Sequence, residues 1–311
     1  MRFSVYQESH TGGRQNNQDR MGYCFTRDAL LLLLADGMGG HIRGEAAATI
    51  ALQTISSMFQ EQARDHLPDP EAFLEQSMLA AHREIHRYRA LNNLPETPRT
   101  TMVACLVQSG QAVWAHCGDS RLYWMRNGEI LARTKDHSRL EMLIAQGRAD
   151  ESERSTHPDR NKLFNCLGAP SQPLIDVSRR AALQPGDVLL LCSDGLWSTL
   201  DDTILVRSLR ESTVMRAVPD MVRGAARIAG KKGDNVTALA VTWEGASVDD
   251  LANSTTILTD ALPAGTVTTT IQAPRHADLE GIDVFSDAEI EKAIDEIRGA
   301  IEKSNRITHK S

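Results

Sequence analysis

Four aspartates of the 311-residue sequence share one setting, an apolar run next to an acidic residue that has glycine or asparagine beside it. They are Asp36, Asp119, Asp194 and Asp234, and a fifth, Asp19, also precedes a predicted strand. We expect strand ends to bring these carboxylates to one rim of a layered sheet, where they cannot all stay ionised without a cation. An all-oxygen ligand set suits Mg²⁺ or Mn²⁺, whereas zinc would favour histidine or cysteine.

The segment around Asp36 is the most informative of the five. A run of leucines from Leu30 to Leu34 predicts a strand buried on both faces, and Asp36-Gly37 ends it. One Asp-Gly pair alone is a common turn signal. Two hard cations held close together, however, can lower the pKa of a bridging water and clamp a phosphoryl group. Arg14, in the polar loop upstream, is a fitting bidentate phosphate ligand.

Composition excludes several classes of protein. The chain has 41% hydrophobic and 24% charged residues, which is typical of a globular protein of one large or two small domains. The net charge of -7 argues against a nucleic-acid interface. Five cysteines without a CxxC pair are typical of buried residues in a reducing compartment. With no signal peptide and no apolar run near the ~20 residues of a membrane span, we expect a cytoplasmic protein.

The elements that must position these residues form a strand-rich domain. Strands in meander order are interrupted by predicted helices at about 45–64 and 71–91, and again at about 201–210 and 215–231. This order favours an α+β layered domain over a doubly wound sheet, in which strand and helix would alternate throughout. The stretch 147–167 is polar and predicts a surface flap.

Composition changes after residue 244. Residues 245–285 are interpreted as a flexible linker, because 254–274 is rich in Thr, Ala and Pro. Ser286 and Glu289 form a capping box for an amphipathic helix over 286–304, with isoleucines at coiled-coil-like spacing. Because so short a helix is marginal alone in water, we expect it to dimerise or to dock on its own domain or a partner; a frayed tail is the alternative.

Eight short motifs resemble the metal-dependent serine/threonine protein phosphatases of type 2C, the PPM family, in its bacterial branch. They are GRQNNQD (13–19), DGMGGHIRGE (36–45), TT (100–101), GDSR (118–121), DHS (136–138), HPDRNKLFNCLG (157–168), CSDGLW (192–197) and GDNVT (233–237). Each motif is weak alone, but together they follow the family's order over about residues 1–243.

The resemblance implies both a fold and an activity. The fold is α+β, a four-layer α-β-β-α sandwich of two central antiparallel sheets flanked by helices, with the catalytic domain over residues 1–244. The activity is hydrolysis of phosphoserine and phosphothreonine in proteins, the products of serine/threonine kinases, by a hydroxide that bridges two Mg²⁺ or Mn²⁺ ions. Neither nucleic acid nor a membrane is an expected partner.

The resemblance also implies roles for single residues. Asp36 would bridge the two ions, with the Gly37 carbonyl on one of them. The other metal positions of the family match Asp19, Asp119, Asp194 and Asp234. Of these, Asp194 and Asp234 would complete one shell, and Asp19 would serve the second ion directly or through water. Asp119 matches a position that helps bacterial members to hold a third, weaker ion, and Arg14 matches the arginine that binds the substrate phosphate.

Three positions depart from the family pattern. Met38 replaces a histidine proposed as general acid in many eukaryotic members, which leaves a metal-bound water, His41 or His137, although each histidine is more typical of a packing residue. Gln18 replaces the usual glutamate and removes one negative charge beside the second ion. Arg99 stands where glycine is common, and the sequence gives it no functional interpretation.

A second hypothesis is a catalytically silent phosphatase-fold protein that binds a phosphoprotein partner. The intact acidic set argues against it, because a silent member would be free to lose ligands. A thiol phosphatase would need a CxxxxxR loop and a serine hydrolase a GxSxG motif, and the sequence contains neither. A two-metal nuclease is disfavoured by the acidic balance and the lack of a basic track.

Overall fold

The structure is a computed structural model that describes most of the chain. The described residues are 1–38, 43–63, 66–155, 157–159, 162–245, 256–260, 262–263 and 265–271. The predicted helix over 286–304 and His41 lie outside them.

Thirteen strands and six helices are present in the described residues. The strands are β1 Arg2–His10, β2 Asp19–Phe25, β3 Ala29–Asp36, β4 Met102–Gln108, β5 Gln111–Cys117, β6 Arg121–Arg126, β7 Glu129–Arg133, β8 Asp176–Val177, β9 Ala181–Ala182, β10 Val188–Cys192, β11 Val236–Gly245, β12 Ile257–Leu258 and β13 Thr268–Thr269. The helices are α1 Gly44–Gln62, α2 Pro70–Leu91, α3 Arg139–Ala145, α4 Asp194–Trp197, α5 Asp202–Glu211 and α6 Val214–Ala229. Short 3₁₀ turns occur at Glu151–Ser155 and Gly230–Lys232.

Two antiparallel sheets form the centre of the molecule. One has the strand order β12-β1-β11-β10-β6-β7, and the other β13-β2-β3-β4-β5-β8, with β9 also on β5. Helices α1 and α2 pack on the second sheet, and α5 and α6 pack on the first. This arrangement confirms the predicted four-layer α-β-β-α sandwich.

The leucine run of β3 explains how the layers are held together. Successive side chains of a strand point to opposite faces. Leu30, Leu32 and Leu34 therefore pack between the sheets with Leu189 and Leu191 of β10, and the odd-numbered leucines pack under α1 and α2. Every residue of the run is fully buried, as a strand covered on both faces must be.

The described residues between 256 and 271, which belong to the predicted linker, pair with both sheets. Strand β12 pairs with β1, and β13 pairs with β2, so this segment extends an edge of each sheet. The Met1 amino group donates to Thr259 Oγ1 at 2.8 Å, and Ile271 packs in the core with only 7% of its surface exposed. Edge strands present unpaired backbone groups, and threonine is a good strand former, so a Thr-rich segment can pair there.

Two further features concern the helices and the cysteines. None of the helices in the described part of the chain is long and apolar enough to cross a membrane. All five cysteines are buried and none forms a disulfide. They pack as small apolar side chains.

Candidate metal centre

Strand ends bring the five predicted aspartates to one rim of the sandwich. Asp19 opens β2 and lies directly opposite Asp36, the last residue of β3. Asp194 begins α4 two residues after β10, and Asp234 lies two residues before the neighbouring β11. Asp119 lies in the short connection between β5 and β6. Residues distant in sequence therefore meet because the strands that carry them end at the same side.

Electrostatics place the five carboxyl groups within one another's range. Burial, followed by repulsion from Asp19, Asp194, Asp119 and Asp234, raises the pKa of Asp36 well above its usual value. Burial and then repulsion from Asp119, Asp234 and Asp19 do the same to the pKa of Asp194. Asp36 and Asp194 still keep part of their surface in solvent. The rim is thus a concentrated negative site that is open to a ligand.

Two carboxylate oxygens of this rim lack partners. Asp19 Oδ2 accepts a hydrogen bond from Ser193 Oγ at 2.8 Å. Asp19 Oδ1 and Asp194 Oδ1 are buried and have no hydrogen-bond donor in the described part of the chain. Buried polar atoms without a partner are rare, and hard divalent cations bind such oxygens. The donor set therefore fits Mg²⁺ or Mn²⁺.

Backbone contacts fix the position of Asp36. Its N–H donates to Thr101 Oγ1 at 3.1 Å, and its carbonyl accepts from Thr101 N–H at 2.9 Å and Thr100 Oγ1 at 2.8 Å. The next residue must be glycine, because a Cβ on Gly37 would lie 2.5 Å from the Gly44 carbonyl carbon. The adjacent threonines thus hold the strand end from behind, a role that the sequence did not reveal.

Arg14 lies at the open side of the rim. Its Nη2 donates to Asp234 Oδ2 at 2.7 Å, and the two side chains are 49% and 41% exposed. The hydrogen bond to Asp234 raises the pKa of Arg14. The loop that carries Arg14 packs closely against the Asp234 backbone. A Cβ on Gly12 (φ +65°) would lie 1.9 Å from the Asp234 carbonyl oxygen. The ion pair with Asp234 uses one N–H of the guanidinium. The fork of donors on an arginine side chain suits an oxyanion ligand.

Asp119, like Asp19, is buried, with only 4% of its surface exposed. Burial, followed by repulsion from Asp136, raises the pKa of Asp119 to about 7, and Arg121 acts in the opposite direction. Trp197 Nε1 donates to the Asp119 carbonyl at 2.9 Å. The structure therefore places this residue at the rim, as predicted.

A buried ion pair supports the turn that carries Asp119. Arg121 donates to both Asp136 oxygens, at 2.8 and 2.7 Å, with side chains only 4% and 6% exposed. Its guanidinium carbon also lies 3.6 Å from the centroid of the Trp197 ring. Three of the short motifs therefore meet in one contact that sequence reasoning missed. No pattern in a single sequence pairs an arginine with an aspartate fifteen residues away.

Replacing Arg121 with methionine is expected to destabilise the fold by roughly 3–5 kcal/mol, because Asp136 would be left buried and unpaired. Chemical denaturation measures this loss. Arg133→Met is the matched control, since its ion pair with Asp202 is partly exposed and is worth roughly 1 kcal/mol or less. Similar losses in the free energy of unfolding of the two variants would contradict a special role of the buried Arg121–Asp136 ion pair in stability.

His137, a predicted candidate for general acid, is engaged elsewhere. Its Nδ1 accepts from Asn165 Nδ2 at 2.6 Å and from Gly118 N–H at 3.3 Å, so its Nε2 carries the proton and donates to Asp176 at 3.1 Å. His116, whose Nε2 donates to a backbone carbonyl, lies beside it. These two histidines and Asp176 are spaced for a metal ion. The Nδ1 lone pair of His137 already accepts hydrogen bonds, and its Nε2 is protonated. Neither ring nitrogen therefore has a free lone pair for a metal ion, so the cluster is structural.

The metal-free protein should lose stability as pH rises. Burial raises the pKa of Asp19 to about 6, and that of Asp119 to about 7. Because both folded values exceed the unfolded value of ~4, the stabilisation is complete below about pH 4 and is lost as pH rises through about 6 and 7. We expect the melting temperature in EDTA to fall by several degrees between about pH 5 and pH 8. Asp119→Asn should flatten that slope, and a melting temperature that rises with pH would refute this.

Comparison with known proteins gives a consistent result. A family model described as Protein phosphatase 2C matches residues 6–240. The serine/threonine phosphatase stp of Listeria monocytogenes is 30% identical over 230 residues, which are 73% of this chain and 90% of that protein.

Solved structures resemble this one over most of the sandwich. The crystal structure of the Mycobacterium tuberculosis serine/threonine phosphatase PstP/Ppp has a TM-score of 0.69 at 29% identity and covers 79% of this chain and 100% of that chain. A PstP catalytic domain in complex with two manganese ions has a TM-score of 0.65 at 28% identity, with coverage of 78% and 99%.

Proposed function

The chain belongs to the protein phosphatase 2C family and is a serine/threonine protein phosphatase of that type. We propose that its rim of aspartates holds the cations with which it removes phosphate from phosphoserine and phosphothreonine. The observation that carries the proposal is the convergence of four other carboxyl groups around that of Asp36. The two unpartnered oxygens, on Asp19 and Asp194, support it. A silent phosphoprotein-binding protein would have no need to keep so costly a cluster.

We assign the cation ligands as follows. Asp36 would hold both ions of a pair, and the Gly37 carbonyl would bind one of them. Asp194 and Asp234 would hold one ion, Asp19 would hold the other directly or through water, and Asp119 would help to hold a third, weaker one. The two manganese ions in the structure of the PstP catalytic domain support a pair of Mg²⁺ or Mn²⁺ ions here. When bound, the ions would supply positive charge that neutralises the phosphoryl oxygens and would lower the pKa of a shared water enough for it to attack phosphorus as hydroxide.

The protein's own groups bind and orient the substrate. Arg14 keeps one N–H on Asp234 and directs the others to the phosphoryl oxygens, so the phosphate is held in line with the carboxylate rim. Thr100 and Thr101 keep the Asp36 backbone in place during turnover. The Nε2–H of His137 already donates a hydrogen bond to Asp176, so we assign protonation of the leaving group to water.

The proposal extends to partners and location. We propose that the substrates are proteins phosphorylated by a serine/threonine kinase in the cytoplasm. We further propose that the catalytic domain runs from residue 1 through the edge strands that end near 271. We also propose that a helix over 286–304 dimerises or docks a partner.

Hydrolysis of a phosphothreonine peptide tests the proposal. We expect turnover with Mn²⁺ or Mg²⁺, loss of turnover in EDTA and its return when the ion is restored. Asp194→Asn should abolish turnover, whereas Asp220→Asn, on the outer face of α6 with 76% of its side chain exposed, should not. Tight binding of the phosphopeptide without turnover, with every divalent ion tried, would favour the silent alternative.

A further inference from the structure

A cavity of about 630 Å³ lies beside the metal centre and has no role in the chemistry described above. The end of α2 and two loops line it, with His86, Arg89, Glu96, Thr97, Arg99 and Gly168 among its residues. Among these residues the charged ones are two arginines and a single carboxylate. In a chain whose net charge is -7, such a local excess of cationic groups is suited to an anion.

Arg99 is the residue of this cavity that most needs a partner. Its Nε is buried and has no acceptor in the described part of the chain, and no ion pair there involves its guanidinium. Arg89 is exposed, and within the described residues its guanidinium makes one long contact, 3.5 Å from Nη2 to the Pro95 carbonyl. An arginine that served packing alone would be paired, because buried N–H donors without acceptors are rare.

The backbone ties this cavity to the centre. The Arg99 carbonyl accepts from Met38 N–H at 3.0 Å, two residues beyond Asp36. The next residue, Thr100, pairs with Gly37 on one side and with Leu167 on the other. One polypeptide could therefore reach the metal centre and the cavity at once.

We propose that this cavity binds a second anionic group of the phosphoprotein substrate, either a carboxylate or a second phosphate near the residue that is dephosphorylated. Arg99 and Arg89 would hold that group by charge-assisted hydrogen bonds, which are about twice as strong as neutral ones. The inference rests on the proposed function, since it concerns the choice of substrate at the same site. It gives the arginine before Thr100 a role in specificity.

A peptide series tests this proposal. All peptides carry one phosphothreonine and differ at one position, two to about five residues away on either side, because an extended chain advances ~3.3 Å per residue. That position holds glutamine, glutamate or a phosphonate analogue of phosphoserine that resists hydrolysis. The measured quantity is the ratio of kcat/KM for the anionic peptide to that for the glutamine peptide. Glutamate and phosphonate together distinguish the two sources of charge.

At the best position and low salt we expect a ratio of about ten, which corresponds to ~1.4 kcal/mol. Arg99→Gln should bring the ratio close to one, Arg99→Lys should keep part of it, and added salt should reduce it in the wild type. Arg87→Gln is the matched control and should keep the full ratio, because Arg87 lies on α2 like Arg89 but is paired with Glu84. A ratio that stays unchanged in both Arg99→Gln and Arg89→Gln would overturn the proposal.

A binding measurement separates this inference from the proposed function. Fluorescently labelled peptides with threonine in place of phosphothreonine are titrated with the full chain in EDTA and followed by anisotropy. The glutamate peptide should bind more tightly than the glutamine peptide to the wild type but not to Arg99→Gln. Equal binding of the two peptides to the wild type would refute the cavity's role even if hydrolysis proceeds. Preferential binding would support it even in a protein without turnover.

Discussion

Replacing Asp36 with asparagine is expected to abolish phosphatase activity and, at the same time, to stabilise the metal-free protein. The carboxylate lies among Asp19, Asp119, Asp194 and Asp234, and its burial, followed by their repulsion, raises its pKa. Asparagine has the same shape without the charge, so it relieves this repulsion in the absence of ions. It cannot bridge two cations in the same way, and we expect turnover to fall on the order of 10³-fold or more.

Two measurements check this opposite pair of effects. Turnover of a phosphothreonine peptide with Mn²⁺ gives the loss of activity. Melting in EDTA near pH 8 should show a rise of about 2–4 °C, which is the shift that ~1 kcal/mol causes in a domain of this size. The Asp220→Asn variant controls for removal of a negative charge at an exposed site. A melting temperature below that of the wild type would mean that the Asp36 carboxylate stabilises the fold by itself.

The same variant should respond weakly to metal. A ligand that binds only the folded state stabilises it by mass action, so Mn²⁺ should raise the melting temperature of the wild type. Asp36→Asn should lose most of that increase. Such a trade of stability against activity is common where an active site concentrates like charges.

The second large effect is expected at the end of the described chain. A protein cut after residue 271 should keep the stability of the full chain's sandwich, whereas one cut after residue 245 should melt well below it. The shorter protein loses β12 and β13, the hydrogen bonds of Thr259 to Met1 and to the Arg27 carbonyl, and the packing of Ile271. Burying isoleucine alone contributes about 1.5–3 kcal/mol.

Thermal melts of the two truncated proteins in the presence of Mn²⁺ measure the difference. We expect the protein that ends at residue 245 to melt at least ~5 °C lower, as a loss of about 2 kcal/mol implies. Ile271→Ser in the full chain is a milder version of the same test and should give part of the loss. Equal melting temperatures of the two truncated proteins would restore the interpretation of this segment as a linker.

Much of the fold was readable from local sequence. The uninterrupted leucines of β3 predicted a strand with both faces covered, and the sandwich covers both. The predicted early and late helical pairs correspond to α1 with α2 and to α5 with α6. The strand pairing of the described residues between 256 and 271 was not predicted, because threonine, alanine and proline are common both in linkers and in short edge strands. Which of the two forms depends on whether an unpaired strand edge lies within reach.

Residue types and their spacing alone indicate which residues could hold hard cations and a phosphate, because carboxylates next to apolar runs and an arginine in a polar loop are visible in the chain. The folded structure was needed to show that Asp19 and Asp36 lie opposite each other, that His137 donates a hydrogen bond to Asp176, and that Arg99 lines a cavity. These relations depend on strand register and on side-chain hydrogen bonds between distant residues, which local patterns do not specify.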